Sequence, residues 1–289
     1  MTLFSIIIPT YNRAARIQRT IHSIISQSHS NFEIIIVNDG STDNTEEKVK
    51  SIQDDRIRYF KKKNEERAIA RNFGIQRAQG DYITFLDSDD LVYPNHLEVA
   101  QQLIQKYDQS EWFRLGYEIK DENGKLLRKE NKREGNLNKQ LLTGNHLSCI
   151  GVFVRKDIIN ANLFNDDPEI IGSEDYELWL RLASKYPLYY SNEVTSCIMQ
   201  HDQRSVVASF NAEKLEIRMK KLIELVKSKD YYNSNHKKII ASHRYLYLSL
   251  HLALLNESKL SINYLMKAIQ LKPQLLFHRK TLGIIKNLV

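Results

Sequence analysis

The sequence predicts an α/β protein, a mostly parallel, doubly wound sheet followed by an all-helical region. Three observations point there. The runs LFSIIIP, FEIIIVND and DYITFLD are short and almost continuously apolar, as parallel strands covered on both faces require. Amphipathic stretches stand between them, giving the strand and helix alternation of a doubly wound sheet. Strand patterning then stops near Asn211, and only helical periodicity follows.

Each element can be justified in chain order. The first strand leads into a helix over Ala14 to Ser26 with Ile17, Ile21, Ile24 and Ile25 on one face, and FEIIIVND is the second strand. IRYFK reads as a weaker strand, and Ala68 to Ala78 as a helix presenting Ile69, Phe73 and Ala78. Tyr82 to Leu86 forms the next strand, and a helix runs from beyond Pro94 to about Tyr107. EWFRLGYEIKDENGKLLRKE reads as a hairpin turning at Glu122-Asn123-Gly124. CIGVFVRK is a short strand. In GSEDYELWLRLASKYP, Ser173 signals a helix start and Pro187 its end. Tyr176, Trp179, Leu180 and Ala183 would form the apolar stripe of this helix, with Glu174 and Asp175 at its amino end. Two small strands are expected around Leu188 to Tyr190 and Thr195 to Met199.

Beyond Asn211 come three or four helices, broken near Tyr231 to Asn235, Asn256 to Ser258 and Pro273. SINYLMKAIQLKP is similar to one helix of a tetratricopeptide unit, but one unit cannot stack on itself. A packed helical appendage is therefore expected. The predicted division is an α/β domain over 1–210 and a basic helical region over 211–289.

Composition narrows the function classes. A hydrophobic fraction of 42% with 27% charged residues suits a soluble globular chain of 289 residues. Cys149 and Cys197 are too few for a disulfide framework or a four-cysteine zinc site. MTLFSIIIPTYNR lacks a basic leader, and no segment reaches spanning length, so a cytoplasmic protein is expected. The net charge of +7 is uneven: residues 211–289 hold 15 Lys and Arg against 5 Asp and Glu. Such a surface suits an anionic membrane face, an acidic partner or nucleic acid.

Chemistry gathers where strands end. In doubly wound sheets ligands bind beyond the carboxyl ends of the strands. Pro9-Thr10-Tyr11-Asn12, Asn38-Asp39-Gly40-Ser41 and Asp87-Ser88-Asp89-Asp90 each follow a strand, so all three should open on one edge. Three carboxylates packed so closely cost energy unless a cation sits among them. Oxygen donors suit Mg²⁺ or Mn²⁺. Asp90 alone is also explained as a helix cap before Pro94.

SIIIPTYNR, IIIVNDGSTDNT, ARNFGIQRAQGDYITFLDSDD and GSEDYELWLRL, in this order and spacing, resemble the family two glycosyltransferases. These are inverting enzymes with the A-type nucleotide-diphospho-sugar transferase fold. The resemblance covers roughly residues 3 to 205 and leaves the tail outside. It implies a nucleotide-sugar donor, a UDP-sugar first of all, and a glycan or lipid-linked acceptor in surface polysaccharide synthesis. It also implies that Asp89, in the pattern of the family's DxD motif, binds Mn²⁺ or Mg²⁺, and that Asp87 reaches the ribose or the metal through water, with Ser88 between them. Asp39 would hydrogen-bond the base, with Pro9, Thr10 and Tyr11 beneath it and one of Arg67 and Arg71 near the nucleotide. Asp175 matches the catalytic base, and Glu174 would orient the acceptor or Asp175. His201 would reach the metal or diphosphate, or serve only as a structural histidine after a strand, and Arg204 and Ser205 would close as a lid.

The expected partners are the donor, the acceptor and an anionic inner membrane face touched by the basic tail, with no nucleic acid. Two rivals are weighed. A nucleotidyltransferase would need a glycine-rich basic loop after the first strand, and PTYNRAAR has no glycine. A non-catalytic nucleotide-sugar-binding module, or a scaffold acting through its tail, would not need the acids of Glu174 and Asp175.

Overall fold

A computed structural model describes residues 1–202 and 211–288, in which the chain forms two compact units. The first consists of Met1–Leu137, Leu147–Phe164 and Tyr186–Asp202. The second takes Asn138–His146, Asn165–Lys185 and the described residues of 203–289. The stretches 138–146 and 165–185 thus group with the carboxy-terminal helices, although they precede residue 210.

The first unit is built on a nine-stranded sheet. In chain order its strands are β1 (Phe4–Thr10), β2 (Phe32–Asn38), β3 (Ile57–Lys61), β4 (Tyr82–Phe85), β5 (Leu91–Val92), β6 (Trp112–Asp121), β7 (Leu126–Lys129), β8 (Val152–Arg155) and β9 (Tyr189–Gln200). They lie in the order β3-β2-β1-β4-β8-β6-β9-β5, with β7 on β6. β3, β2, β1 and β4 are all parallel, the expected half of the fold. Beyond β4 the sheet is mixed: β8 is antiparallel to both β4 and β6, whereas β9 is parallel to β6. The β6–β7 hairpin turns where DENG predicts.

Alternation along β1 shows the double winding. Ile6 and Ile8 join the core with Ile17, Ile21 and Ile24 of α1 (Ile17–Ile25). Ile7 points the other way, toward α3 (Arg67–Ile75), where a Cβ on Gly74 would stand 2.6 Å from Ile7 Cγ2. This approach explains why α3 buries Ala70, Arg71, Gly74 and Ile75 rather than the expected Ile69 and Phe73. Phe73 instead stacks edge-on against Phe60, with Arg77 over its outer face. Each fully buried isoleucine contributes about 2 kcal/mol through removal from water.

Two further differences have local causes. The small strands expected around 188–190 and 195–199 are one strand, β9. Its register against β6 shifts between Arg114 and Gly116, so Ser191 to Glu193 bulge outward. Gly116 permits this, since a Cβ there would lie 2.7 Å from Glu193 O. Three short helices were not foreseen: α2 (Thr45–Lys50), α5 (Leu137–Leu141) and α6 (Lys156–Asn160), each too brief to show a full apolar stripe. α4 (His96–Lys106) occupies its predicted place.

The second unit is helical. α7 (Glu174–Ala183) is followed by α8 (Ala212–Ser228), α9 (Ser234–Leu254), α10 (Ser258–Leu271) and α11 (Arg279–Leu288), with breaks where the sequence puts them. Asn211 and Asn233 cap α8 and α9, their side chains accepting amide hydrogens of the first turn. Leu246, Ala253, Leu265, Ala268, Leu275 and Ile284 form its core, and Ser249 and Ser261 bond reciprocally where α9 meets α10. Leu178, Trp179 and Leu182 of α7 are fully buried, whereas Ala183 is only partly so. Ser173 stands at the N-cap of α7, but its side chain makes no capping bond. Both cysteines are buried free thiols. No described helix is long and apolar enough to cross a membrane.

Candidate active site

Parallel register brings the first two polar clusters to one lip, because Thr10 ends β1 opposite Asn38 at the end of β2. The two turns beyond are tied together. Asp39 N donates to Thr10 O (2.8 Å), Asn12 N to Ser41 Oγ (2.9 Å), Thr42 N to Asn12 Oδ1 (2.9 Å) and Arg13 N to Thr45 Oγ1 (2.9 Å). Asn12 takes a left-handed conformation (φ 50°) to do this, which asparagine tolerates. Thr10 is buried, and its hydroxyl has no hydrogen-bond partner among the described residues. Pro9 is partly buried and Tyr11 exposed at the rim.

Asp39 is buried at this lip and does not stand alone. Lys62 Nζ lies 2.6 Å from its Oδ1, and Glu65 N donates to both oxygens. Burial opposes the charge on Lys62, but Asp39 and Glu65 outweigh this and raise its pKa above the ordinary lysine value. Lys62 is a site residue that sequence reasoning missed, since within KKKN it reads as part of a solvated charge run.

The DSDD segment follows β4 on the same edge. Arg71, buried on α3, donates from Nη2 to Asp87 Oδ1 (2.9 Å) and lies over the ring of Phe164. Arg71 is thus held at the acidic segment, and Arg67 opens α3, partly exposed. Ser88 is buried. Asp90 accepts Met199 N (2.9 Å), tying the segment to β9. Asp89, 8% exposed, is gripped from two sides: His201 Nε2 at 3.0 Å and Arg13 Nε at 3.3 Å from the same Oδ2. His201 is itself buried, and its Nδ1 has no hydrogen-bond partner among the described residues. Arg13 was also missed. It reads as the start of a helix, and only the fold brings it to a residue so distant in sequence.

Among the described residues no group of three or more His, Cys, Asp or Glu side chains gathers into a cation cage. Asp89 and His201 offer a carboxylate oxygen and an imidazole nitrogen side by side. Such a pair suits an ion that takes one or two protein ligands and completes its shell with phosphate and water.

The second unit carries the other acids. Glu174 is buried at the start of α7, and its Oε2 accepts Gly172 N (2.6 Å) across a turn with Gly172 at φ 87°. Asp175 is only partly buried; its Oδ1 accepts Tyr176 N (2.6 Å) and its Oδ2 accepts Asn145 Nδ2 (3.1 Å). Glu174 is thus tied to the turn that opens α7, and Asp175 to the first turn and to Asn145. The carboxy-terminal helices brace this segment: Arg218 donates to Ile171 O, Lys221 pairs with Asp167, and Tyr232 donates to Leu180 O. Arg204 and Ser205, the expected lid, lie outside the described residues.

The sequence matches the profile described as Glycosyl transferase family 2 over residues 5–160. The Escherichia coli protein named UDP-Glc:alpha-D-GlcNAc-diphosphoundecaprenol beta-1,3-glucosyltransferase WfgD is 34% identical over 182 residues, 62% of this chain and 69% of that one. Uncharacterized glycosyltransferases of Rickettsia bellii, Rickettsia conorii and Rickettsia felis match at 39%, 36% and 40% identity, and the chain spans only 26%, 33% and 31% of their length. Among solved structures, S. aureus TarS 1-349 in complex with UDP-GlcNAc shares the fold with a TM-score of 0.74 at 22% identity, over 100% of this chain and 89% of that one. The mannosyltransferase PcManGT of Pyrobaculum calidifontis, in complex with GDP-Man and Mn²⁺, does so with a TM-score of 0.61 at 15% identity, over 98% and 85%. With the A-type fold and the family profile covering more than half its length, the chain belongs to glycosyl transferase family 2.

Proposed function

We propose that the chain moves one hexose, with inversion, from a UDP-sugar to a hydroxyl of a glycan or lipid-linked acceptor in surface polysaccharide synthesis. The observation that carries this reading is the buried pairing of Asp89 with His201 at the lip of β1, β2 and β4. The name of WfgD and the UDP-GlcNAc complex of TarS support a UDP donor, and the name of WfgD a diphosphate-linked lipid acceptor.

Each residue then has a task. Asp39 accepts a hydrogen bond from the base once Lys62 yields, and the buried hydroxyl of Thr10 gains the partner it lacks, with Pro9 and Tyr11 beneath. Arg71 holds Asp87 aimed at the ribose, and Ser88 spaces the two acids. Asp89 and His201 would hold Mn²⁺ or Mg²⁺, the former supported by the Mn²⁺ in the PcManGT complex. When bound, the ion neutralises negative charge growing on the departing diphosphate. Arg13, which pairs with Asp89, would add a guanidinium to that diphosphate. Asp175 takes the proton of the acceptor hydroxyl as it attacks the anomeric carbon from the opposite side, and Glu174 fixes the turn that aims it.

Peripheral contact with an anionic inner membrane face belongs to the same proposal. Phe277, Leu282 and Ile285 are exposed among Arg279 and Lys286, the mixture that lies in a lipid interface.

The test is Asp175→Asn, assayed with a panel of UDP-, GDP- and dTDP-sugars and Mn²⁺. Transfer should fall about 10³-fold while UDP still raises the melting temperature as in the parent protein. Undiminished transfer by this variant would sink the assignment and favour a binding module.

A further inference from the structure

The stretch 138–146, most of α5 and the turn after it, lies along α7 in the second unit. Three side-chain hydrogen bonds set its register. Asn138 Nδ2 donates to Ala183 O (2.8 Å), Tyr176 Oη to Leu141 O (2.6 Å) and Asn145 Nδ2 to Asp175 Oδ2 (3.1 Å). As the stretch rises from 138 to 145 its partners fall from 183 to 175, so it runs antiparallel to α7 and ends at the acid that opens the helix.

The backbone that carries Asn145 is held on both sides of this contact. Leu142 N, Thr143 N and Gly144 N donate to Lys139 O, Gln140 O and Leu141 O, which closes the turn on itself. Arg244 of α9, 4% exposed, donates from Nη2 to Thr143 O (3.0 Å). A Cβ on Gly144 would stand 3.3 Å from the same Nη2, so the guanidinium sits close against the turn. The other side of the contact is held as well, because the guanidinium lies 4.7 Å from the ring centre of Tyr176, the residue after Asp175. One rigid, planar group thus bears on the stretch and on α7 at once. Asn145 itself is exposed, but its main chain is not at liberty to move.

The contact bears on how a carboxylate takes a proton. Asp175 Oδ1 accepts Tyr176 N and Oδ2 accepts Asn145 Nδ2, so donors at both oxygens fix the plane of the group. Each carboxylate oxygen can accept two hydrogen bonds, so a bond from Asn145 and one from a hydroxyl are compatible on Oδ2. Proton transfer is fast only when that oxygen is aimed at the proton. A neutral amide supplies the aim without the formal positive charge that would make the carboxylate a weaker base.

We propose that Asn145 is a positioning residue for the transfer reaction: held against α7 by Arg244, its amide fixes the Asp175 carboxylate toward the acceptor hydroxyl. The proposal rests on the assignment of Asp175 as base given under Proposed function.

The test uses Asn145→Ala and Asn145→Asp in the full chain, assayed for transfer at a pH above the carboxylate range. Aspartate keeps the shape of asparagine but, when ionised, donates no hydrogen bond and sets a like charge against Asp175. Asn145→Ala should lower kcat about tenfold and Asn145→Asp about a hundredfold. KM for donor and acceptor, and the rise in melting temperature with UDP, should stay as in the parent. In an Asp175→Asn background Asn145→Ala should have no further effect, because the residue acts through the carboxylate. Parental kcat in Asn145→Asp would show that only shape matters at this position. A raised acceptor KM at unchanged kcat would make Asn145 an acceptor contact, and a further loss in the double variant would give it a role apart from Asp175. Each of these overturns the proposal. The base assignment fails separately: undiminished transfer by Asp175→Asn removes the base itself, whereas an inactive Asp175→Asn beside fully active Asn145 variants removes only the positioning role.

Discussion

The two units handle buried charge in opposite ways. In the sheet unit three carboxylates at the lip are each met by a cation of the protein: Asp39 by Lys62, Asp87 by Arg71, Asp89 by Arg13. In the helical unit the buried Arg244 is met by the carbonyl of Thr143 and the rings of Tyr176 and Tyr247, with no ion pair to a carboxylate of the described residues. Both arrangements carry the cost of desolvating ions, but only the first recovers it within the chain. A ligand of the sheet unit must therefore exchange for an existing partner.

The largest effect is expected where the exchange occurs. Asp89→Asn should lower transfer about 10²-fold or more and abolish rescue by Mn²⁺ of chelator-treated protein, which the parent should show. Equal rescue of both proteins would remove Asp89 from the metal site. A smaller effect is expected at a paired carboxylate remote from the lip. Burial tends to raise the pKa of Glu33, but bonds from Ser5 Oγ, Gln79 N and Arg58 prevail and hold it below 4.5. A lowered folded pKa means stabilisation that is full above the unfolded value and lost as pH falls through the folded one. Glu33→Gln should therefore cost about 2 kcal/mol near neutral pH, shrinking in acid; a pH-independent difference in chemical denaturation would show that charge is not the cause. The smallest concerns the exposed bases of α11. Lys286→Gln should weaken flotation with anionic vesicles by about 1 kcal/mol and leave transfer to a soluble acceptor unchanged. Flotation indifferent to this change, or to vesicle charge, would remove the membrane contact.

How much was legible in the sequence follows the range of the interactions. β1, β2 and β4 announce themselves because each is a largely apolar run that ends in or just before Thr, Asn or Asp, so strand and lip are written in neighbouring residues. The DSDD segment was legible for the same reason. Arg13 and Lys62 were not, since what makes them site residues is contact with Asp89 and Asp39, far along the chain. β9 reads as two strands because Ser191-Asn192-Glu193 has turn chemistry, and only pairing with β6 around Gly116 shows it as a bulge. Arg244 reads as the polar face of an amphipathic helix. Its burial depends on Thr143 and Tyr176, which come from elsewhere in the chain.

The stitching of the turn after β1 to the turn after β2 has a consequence for how the chain could diversify. Asn12, Ser41, Asp43 and Thr45 share one hydrogen-bonded seam. A change in either loop shifts the other, so the half of the cleft that would recognise a nucleotide varies only as a block. New preferences for sugar or acceptor must then arise from segments that this seam does not constrain, and a swap of the whole seam between relatives should carry base preference with it and little else.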